Sequence, residues 1–119
     1  MKVLVPLIEL RGTDSRLSDH FGRAPYYALI HLEGGKVSID YLENPRTKGI
    51  KPGEFFSKLG IDYVVVKGGI GARALNILRS VGTEVLITEA DTLAEVIDEL
   101  RKGTLRRFEG VPCGGRGNE

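Results

Sequence analysis

The residues of this chain best suited to chemistry lie in two short stretches. Ser18-Asp19-His20-Phe21-Gly22-Arg23-Ala24-Pro25 gathers an imidazole, a carboxylate and a guanidinium around a conformationally free glycine. His20 can ligate a metal as neutral imidazole, and Arg23 can pair with an anionic ligand. The same spacing also suits a histidine that closes a turn beside a solvated arginine. The second stretch is Lys67-Gly68-Gly69-Ile70-Gly71-Ala72-Arg73-Ala74. Successive glycines let backbone N–H groups approach an anion at a helix start, where donors are unsatisfied and the dipole is positive, and Lys67 and Arg73 add charge. Gly69-x-Gly71-x-x-Ala74 also fits the alanine-ended dinucleotide fingerprint, with Glu89 at about the 20-residue distance of a ribose-binding acid. A tight strand-to-helix turn accounts for the same residues.

Other candidates are thinner. Cys113 is the single cysteine and stands near Arg116 in a glycine-rich stretch, a setting for a soft-metal ligand, a redox-sensitive thiol or an incidental residue. One cysteine excludes an internal disulfide and a Cys-x-x-Cys knuckle, so thiolate chemistry here must borrow ligands. His31 falls inside an apolar segment and reads as a packed or surface histidine. A nuclease needs clustered carboxylates for divalent ions, and none lies on the first strand. No Gly-x-Ser-x-Gly elbow is present. With no catalytic set, the expectation is a binding protein, not an enzyme.

The elements that must position these residues follow from apolar patterning. Val3 to Ile8 is an unbroken apolar run suited to a central strand, although Pro6 cannot donate to a ladder and predicts that one neighbour is lost midway. Glu9 to Arg23 is a long polar loop of the kind that carries function. Tyr26–Leu32 and Lys36–Glu43 flank Glu33-Gly34-Gly35 and predict a hairpin. A loop through Asn44 leads to a short helix over Gly53–Leu59. Tyr63–Val66 as strand, Ala72–Val81 as helix, Glu84–Thr88 as strand and Leu93–Lys102 as helix then alternate. In the last helix Leu93, Val96, Ile97 and Leu100 repeat at helical spacing behind a Thr92/Glu95 capping box. From residue 106 the glycine and polar content predicts a flexible tail, so residues 1–105 form the expected domain and 106–119 the tail.

Composition bounds the function. Seventeen Lys and Arg against 16 Asp and Glu leave a net charge of +1, too weak a field to predict nucleic-acid or membrane attraction. The amino terminus has neither a signal-peptide pattern nor an apolar span of about 20 residues, which predicts a cytoplasmic protein. Sixteen glycines in 119 residues are about twice ordinary usage, and most fall in the loops and turns just named or at Gly60, Gly82 and Gly103, where each is expected to stop a helix.

Together, the opening strand, Ser18-Asp19-His20-Phe21-Gly22-Arg23-Ala24-Pro25, Glu43-Asn44-Pro45, Gly68-Gly69-Ile70-Gly71-Ala72-Arg73-Ala74 and the Thr92-led helix resemble the dinitrogenase iron-molybdenum cofactor biosynthesis family, over residues 1–105. The resemblance implies a ribonuclease H-like fold, three-layer α/β/α, around a five-stranded mixed sheet of order 3-2-1-4-5 with strand 2 antiparallel. It implies a non-enzymatic carrier or scaffold for an iron-sulfur or iron-molybdenum type cluster or its precursor. His20 would be a cluster ligand, with Gly68, Gly69 and Gly71 lining the same sheet edge. Many members carry further histidines after Asn-Pro, where this chain has Arg46-Thr47-Lys48-Gly49-Ile50-Lys51, and many have proline in place of Ala72. The remaining ligands would then come from Cys113, from a cluster-donating or cluster-accepting protein, or from a second subunit of a homo-oligomer. Because imidazole must be neutral to ligate, binding is expected to weaken as pH falls through the histidine range. The alternative from another class is a nucleotide- or phosphate-binding module built on Gly68 to Arg73.

Overall fold

Gly34 and Gly35 both adopt positive φ, 54° and 81°, the pair of angles a two-residue type I′ turn demands and glycine takes without strain. They join β2 (Tyr26–Glu33) to β3 (Lys36–Glu43) in an unbroken antiparallel register from Tyr26↔Glu43 to Glu33↔Lys36. β1 (Lys2–Leu7) lies antiparallel to β2 along its whole length. On its other side β1 runs parallel to β4 (Tyr63–Val66), but only as far as Val3↔Tyr63 and Leu4↔Val64. Parallel β5 (Glu84–Ile87) follows, and the order is the expected 3-2-1-4-5 with a sixth strand, β6 (Arg106–Arg107), added at the β5 edge. The computed structural model describes residues 1–110. Among them no helix is long and apolar enough to cross a membrane.

The sheet is covered on both faces. Leu4, Tyr27, Leu29, Val64, Val66 and Val85 pack with α1 (Pro52–Phe56) and α2 (Ala72–Ser80), through Phe56, Ala74, Leu75 and Leu78. Val3, Val5, Leu7, Ala28, Ile30, Val65 and Leu86 pack with Leu93, Val96 and Ile97 of α3 (Leu93–Lys102). Central strands thus bury both side-chain parities, which is why their sequences read as apolar runs. The Thr92/Glu95 capping box forms, Thr92 Oγ1 accepting from Glu95 N at 3.4 Å and Glu95 Oε1 accepting from Thr92 N at 3.2 Å. α1 is shorter than the helix expected over 53–59. At its crossing with α2, a Cβ on Gly53 would meet Ala74 Cα at 3.0 Å, so the missing side chain lets the two helices approach.

The expected tail boundary at 106 moves. Arg106 and Arg107 pair with Ile87 and Leu86, and Phe108 is only 4% exposed in the α2-side core. Phe108 N donates to Val85 O at 2.8 Å, and Arg79 Nη2 donates to Phe108 O at 3.0 Å. One aromatic ring supplies enough apolar area to hold a short strand whose flanking composition argues for solvent. The fold therefore runs through Phe108, and residues 111–119 of the expected tail, with Cys113 and Arg116, lie outside the described residues.

Candidate functional site

Strand order reverses between β1 and β4, and in open α/β sheets the crevice at the carboxyl ends beside such a reversal takes ligands. Here the chain fills part of it. Lys2 O accepts from Asp62 N at 3.0 Å on the β4 side, so by antiparallel alternation Pro6 also faces that side and its missing N–H costs the β2 ladder nothing. Where β4 parts from β1, the 9–23 loop takes its place: Ile8 N donates to Arg16 O at 3.0 Å and Ser18 N to Pro6 O at 2.9 Å. The loop also seals α3, whose Leu93 and Ala94 N–H groups donate to Ser15 O and Thr13 O at 2.9 and 2.8 Å. That helix start is occupied. α2, by contrast, opens at Gly71 with no side-chain cap.

The two glycine-bearing motifs meet directly. His20 and Gly69 form a parallel bridge, in which Gly69 N donates to Asp19 O at 2.7 Å and Phe21 N to Gly69 O at 3.1 Å. A Cβ on Gly68 would lie 2.4 Å from Asp19 O, so glycine is required there for the loop to approach β4's end. Ser18 Oγ, nearly buried, donates to His20 O at 3.0 Å and accepts from His20 N at 3.2 Å. The backbone of His20 is thereby fixed on both sides while its ring faces solvent and makes no hydrogen bond or ion pair with the described residues.

Phe21 anchors the segment from below. It is fully buried, with ring centroids 5.7 Å from Tyr27 and 6.3 Å from Phe56. Tyr27 O–H donates to Phe21 O, and burial pushes that phenol's pKa well above its ordinary value. Asn44, missed as an anchor in the sequence, holds the far end of the motif. Its Nδ2 donates to Gly22 O at 3.1 Å and Ala24 O at 2.7 Å, while Oδ1 accepts from Arg46 N at 2.8 Å. An asparagine that ends a strand before proline was the available signal, because its side chain can satisfy turn carbonyls on both sides.

The charged candidates are spread around this centre. Arg23 is exposed at the end of the loop, and Arg73, in the first turn of α2, lies 3.7 Å from Glu54. Lys67 pairs with Asp91, which bridges β4's end to the α3 cap. That hydrogen bond lowers the Asp91 carboxyl below its ordinary range and raises the Lys67 ammonium. Glu9 is lowered likewise by its bond to Arg16. His31 sits apart on the hairpin, 3.1 Å from Asp40. Among the described residues no three His, Cys, Asp or Glu side chains gather as a metal site. His20 and the Gly68–Gly69 turn are therefore brought together, while Cys113 lies outside what is described.

Residues 1–103 match the family model described as dinitrogenase iron-molybdenum cofactor. An uncharacterized protein of Methanocaldococcus jannaschii is 25% identical over 115 residues, 92% of this chain and 97% of that protein. The crystal structure of PH0822 superposes with a TM-score of 0.74 at 31% identity, covering 92% of this chain and 97% of that one. An NMR structure of a Thermotoga protein gives a TM-score of 0.73 at 24% identity over 96% of this chain and 98% of that one, a likeness of fold.

Proposed function

We propose, because the chain belongs to the dinitrogenase iron-molybdenum cofactor family, that it is a non-enzymatic carrier or scaffold whose cargo is an iron-sulfur or iron-molybdenum type cluster or its precursor. The observation that carries this reading is the presentation of His20: a backbone pinned at Asp19, His20 and Phe21, and a ring left to solvent. A ligand whose backbone is held in this way has only its side-chain rotamers left to order on binding. Arg23 and Arg73 offset the negative charge of a cluster, and the uncapped start of α2 at Gly71 adds the positive end of a helix dipole. Gly69 plays a different part from the anion donor expected of it, since its N–H already serves Asp19.

One imidazole makes a weak site, so the cargo shares its coordination with Cys113 or with the protein that delivers or receives it. This suits a carrier, which must release what it binds. The phosphate-binding alternative draws less support, because Asp19 stands against Gly68 and consumes the Gly69 donor. Anaerobic reconstitution with iron and sulfide, followed by absorption spectroscopy and metal analysis, tests the proposal on wild type, His20→Ala and Cys113→Ser. His20→Ala should lose most of the bound cluster. Equal retention by wild type and His20→Ala removes His20 from the mechanism, and heat on mixing with phosphate or NAD that vanishes in Gly71→Val favours the alternative.

A further inference from the structure

The two edges of the sheet are treated differently. The β5 edge is closed by β6, a two-residue strand with two arginines and an Arg107–Glu84 ion pair at 2.9 Å. The β3 edge is eight residues long, in continuous register, and carries no proline or bulge, its charges being Lys36, Asp40 and Glu43. Natural edges of that length are ordinarily blunted by such devices, because their unpaired N–H and C=O groups template pairing with another chain.

The phase of those groups can be assigned. Asn44 N donates to Pro25 O at 3.1 Å in the same ladder, so the even-numbered residues of β3 bond to β2. The N–H and C=O groups of Val37, Ile39 and Tyr41 consequently point outward. Their side chains share the α3-side face beyond that helix, half-buried at Val37 and Ile39 and 37% exposed at Tyr41.

We infer that this edge pairs with the β3 edge of a second copy of the chain, antiparallel about a two-fold axis through Ile39. In that register Ile39 meets Ile39 of the second copy, and Val37 meets its Tyr41, each as a hydrogen-bonded pair with apolar side chains on one face. On the opposite face Ser38 meets Asp40, a hydroxyl beside a carboxylate, and Lys36 lies diagonal to Asp40. A register one residue further along sets Asp40 against Asp40, and one residue back sets Tyr41 against Gly35, so the row is complementary to itself in one alignment. The axis reverses strand direction, and the two His20 sites therefore fall at opposite ends of a twelve-stranded sheet. This interface is independent of the cargo proposal and supplies no cluster ligand.

Sedimentation equilibrium of the full chain from micromolar to millimolar concentration, with amide exchange by NMR at both ends of the range, tests it. The mass should rise toward twice that of the monomer, and the Val37, Ile39 and Tyr41 amides should gain protection while Ser38 and Asp40 stay unchanged. Ile39→Pro removes an outward donor together with a half-buried side chain, and Ile39→Lys sets like charges face to face; both should remain folded monomers by circular dichroism. A wild type that stays monomeric overturns the inference. So does a dimer that survives both substitutions or leaves those three amides unprotected.

Discussion

Replacing Gly68 by alanine should detach the His20 segment from the sheet while the rest of the chain stays folded. The added Cβ would lie 2.4 Å from Asp19 O, against roughly 3.3 Å for a close C···O contact, so one of the two backbones must move by about 1 Å. The atom in the way is main chain, held by Gly69 N at 2.7 Å, with Phe21 N to Gly69 O at 3.1 Å beside it. Losing both bonds costs about 1–3 kcal/mol at a net of about 0.5–1.5 kcal/mol each, partly offset by the roughly 0.4–1 kcal/mol that alanine removes from unfolded-state entropy. A net loss of about 1–2 kcal/mol corresponds to a melting temperature lower by about 3–10 °C in a domain of this size. Thermal melts by circular dichroism read the loss, and amide exchange of Gly69 and Phe21 locates it. Asp19→Ala keeps the main-chain oxygen and should melt like wild type. The reasoning fails if Gly68→Ala melts within about a degree of wild type with both amides as protected as before.

Asn44→Ala leaves the carbonyls of Gly22 and Ala24 and the N–H of Arg46 without their partner, and urea unfolding should show a loss of about 2–4 kcal/mol. Phe108→Ala should cost about 3 kcal/mol in the same assay, and truncation after Leu105 at least as much, whereas a freely moving tail beyond 105 would make both neutral. The Lys67–Asp91 pair has a defined pH window: the folded carboxyl titrates lower than the unfolded one, so its contribution is present above the ordinary carboxylate range and is lost as pH falls through the lowered value. The raised ammonium contributes below the ordinary lysine range and loses that contribution as pH rises through its folded value. Melting temperatures of wild type and Asp91→Asn should differ slightly at neutral pH, because the pair is exposed, and converge in acid.

Local chemistry was legible in the sequence. The Gly34-Gly35 turn, the Thr92/Glu95 box and the glycines at 60 and 103, both at positive φ, each depend on a few neighbouring residues. Pro6 also read correctly, as a strand that loses one neighbour, because its missing donor is a property of one residue. What stayed hidden is long-range. Gly68 reads as an anion cradle until Asp19 O is found against it, and Asn44 reads as turn punctuation until its amide is seen holding Gly22 and Ala24. β6 lies below the length at which alternation gives any signal, and Phe108 looked out of place among glycine and arginine because its cavity is built by β5 and α2. The two motifs were readable one by one; their contact was not.

The bridge between His20 and Gly69 joins points separated by nearly half the chain, and this places the candidate ligand late in folding. During synthesis the amino-terminal hairpin can form alone, yet Asp19 O and Phe21 N lack their ladder partner until Gly69, in the turn after β4, has emerged. A nascent or partly folded chain thus offers a histidine on a loose loop, and the fixed ligand exists only once the α2 half has docked. Pulsed amide exchange during refolding should find Phe21 protected after Ala28 and Ile30. By this device the moment at which the His20 backbone becomes fixed is set by completion of the sheet.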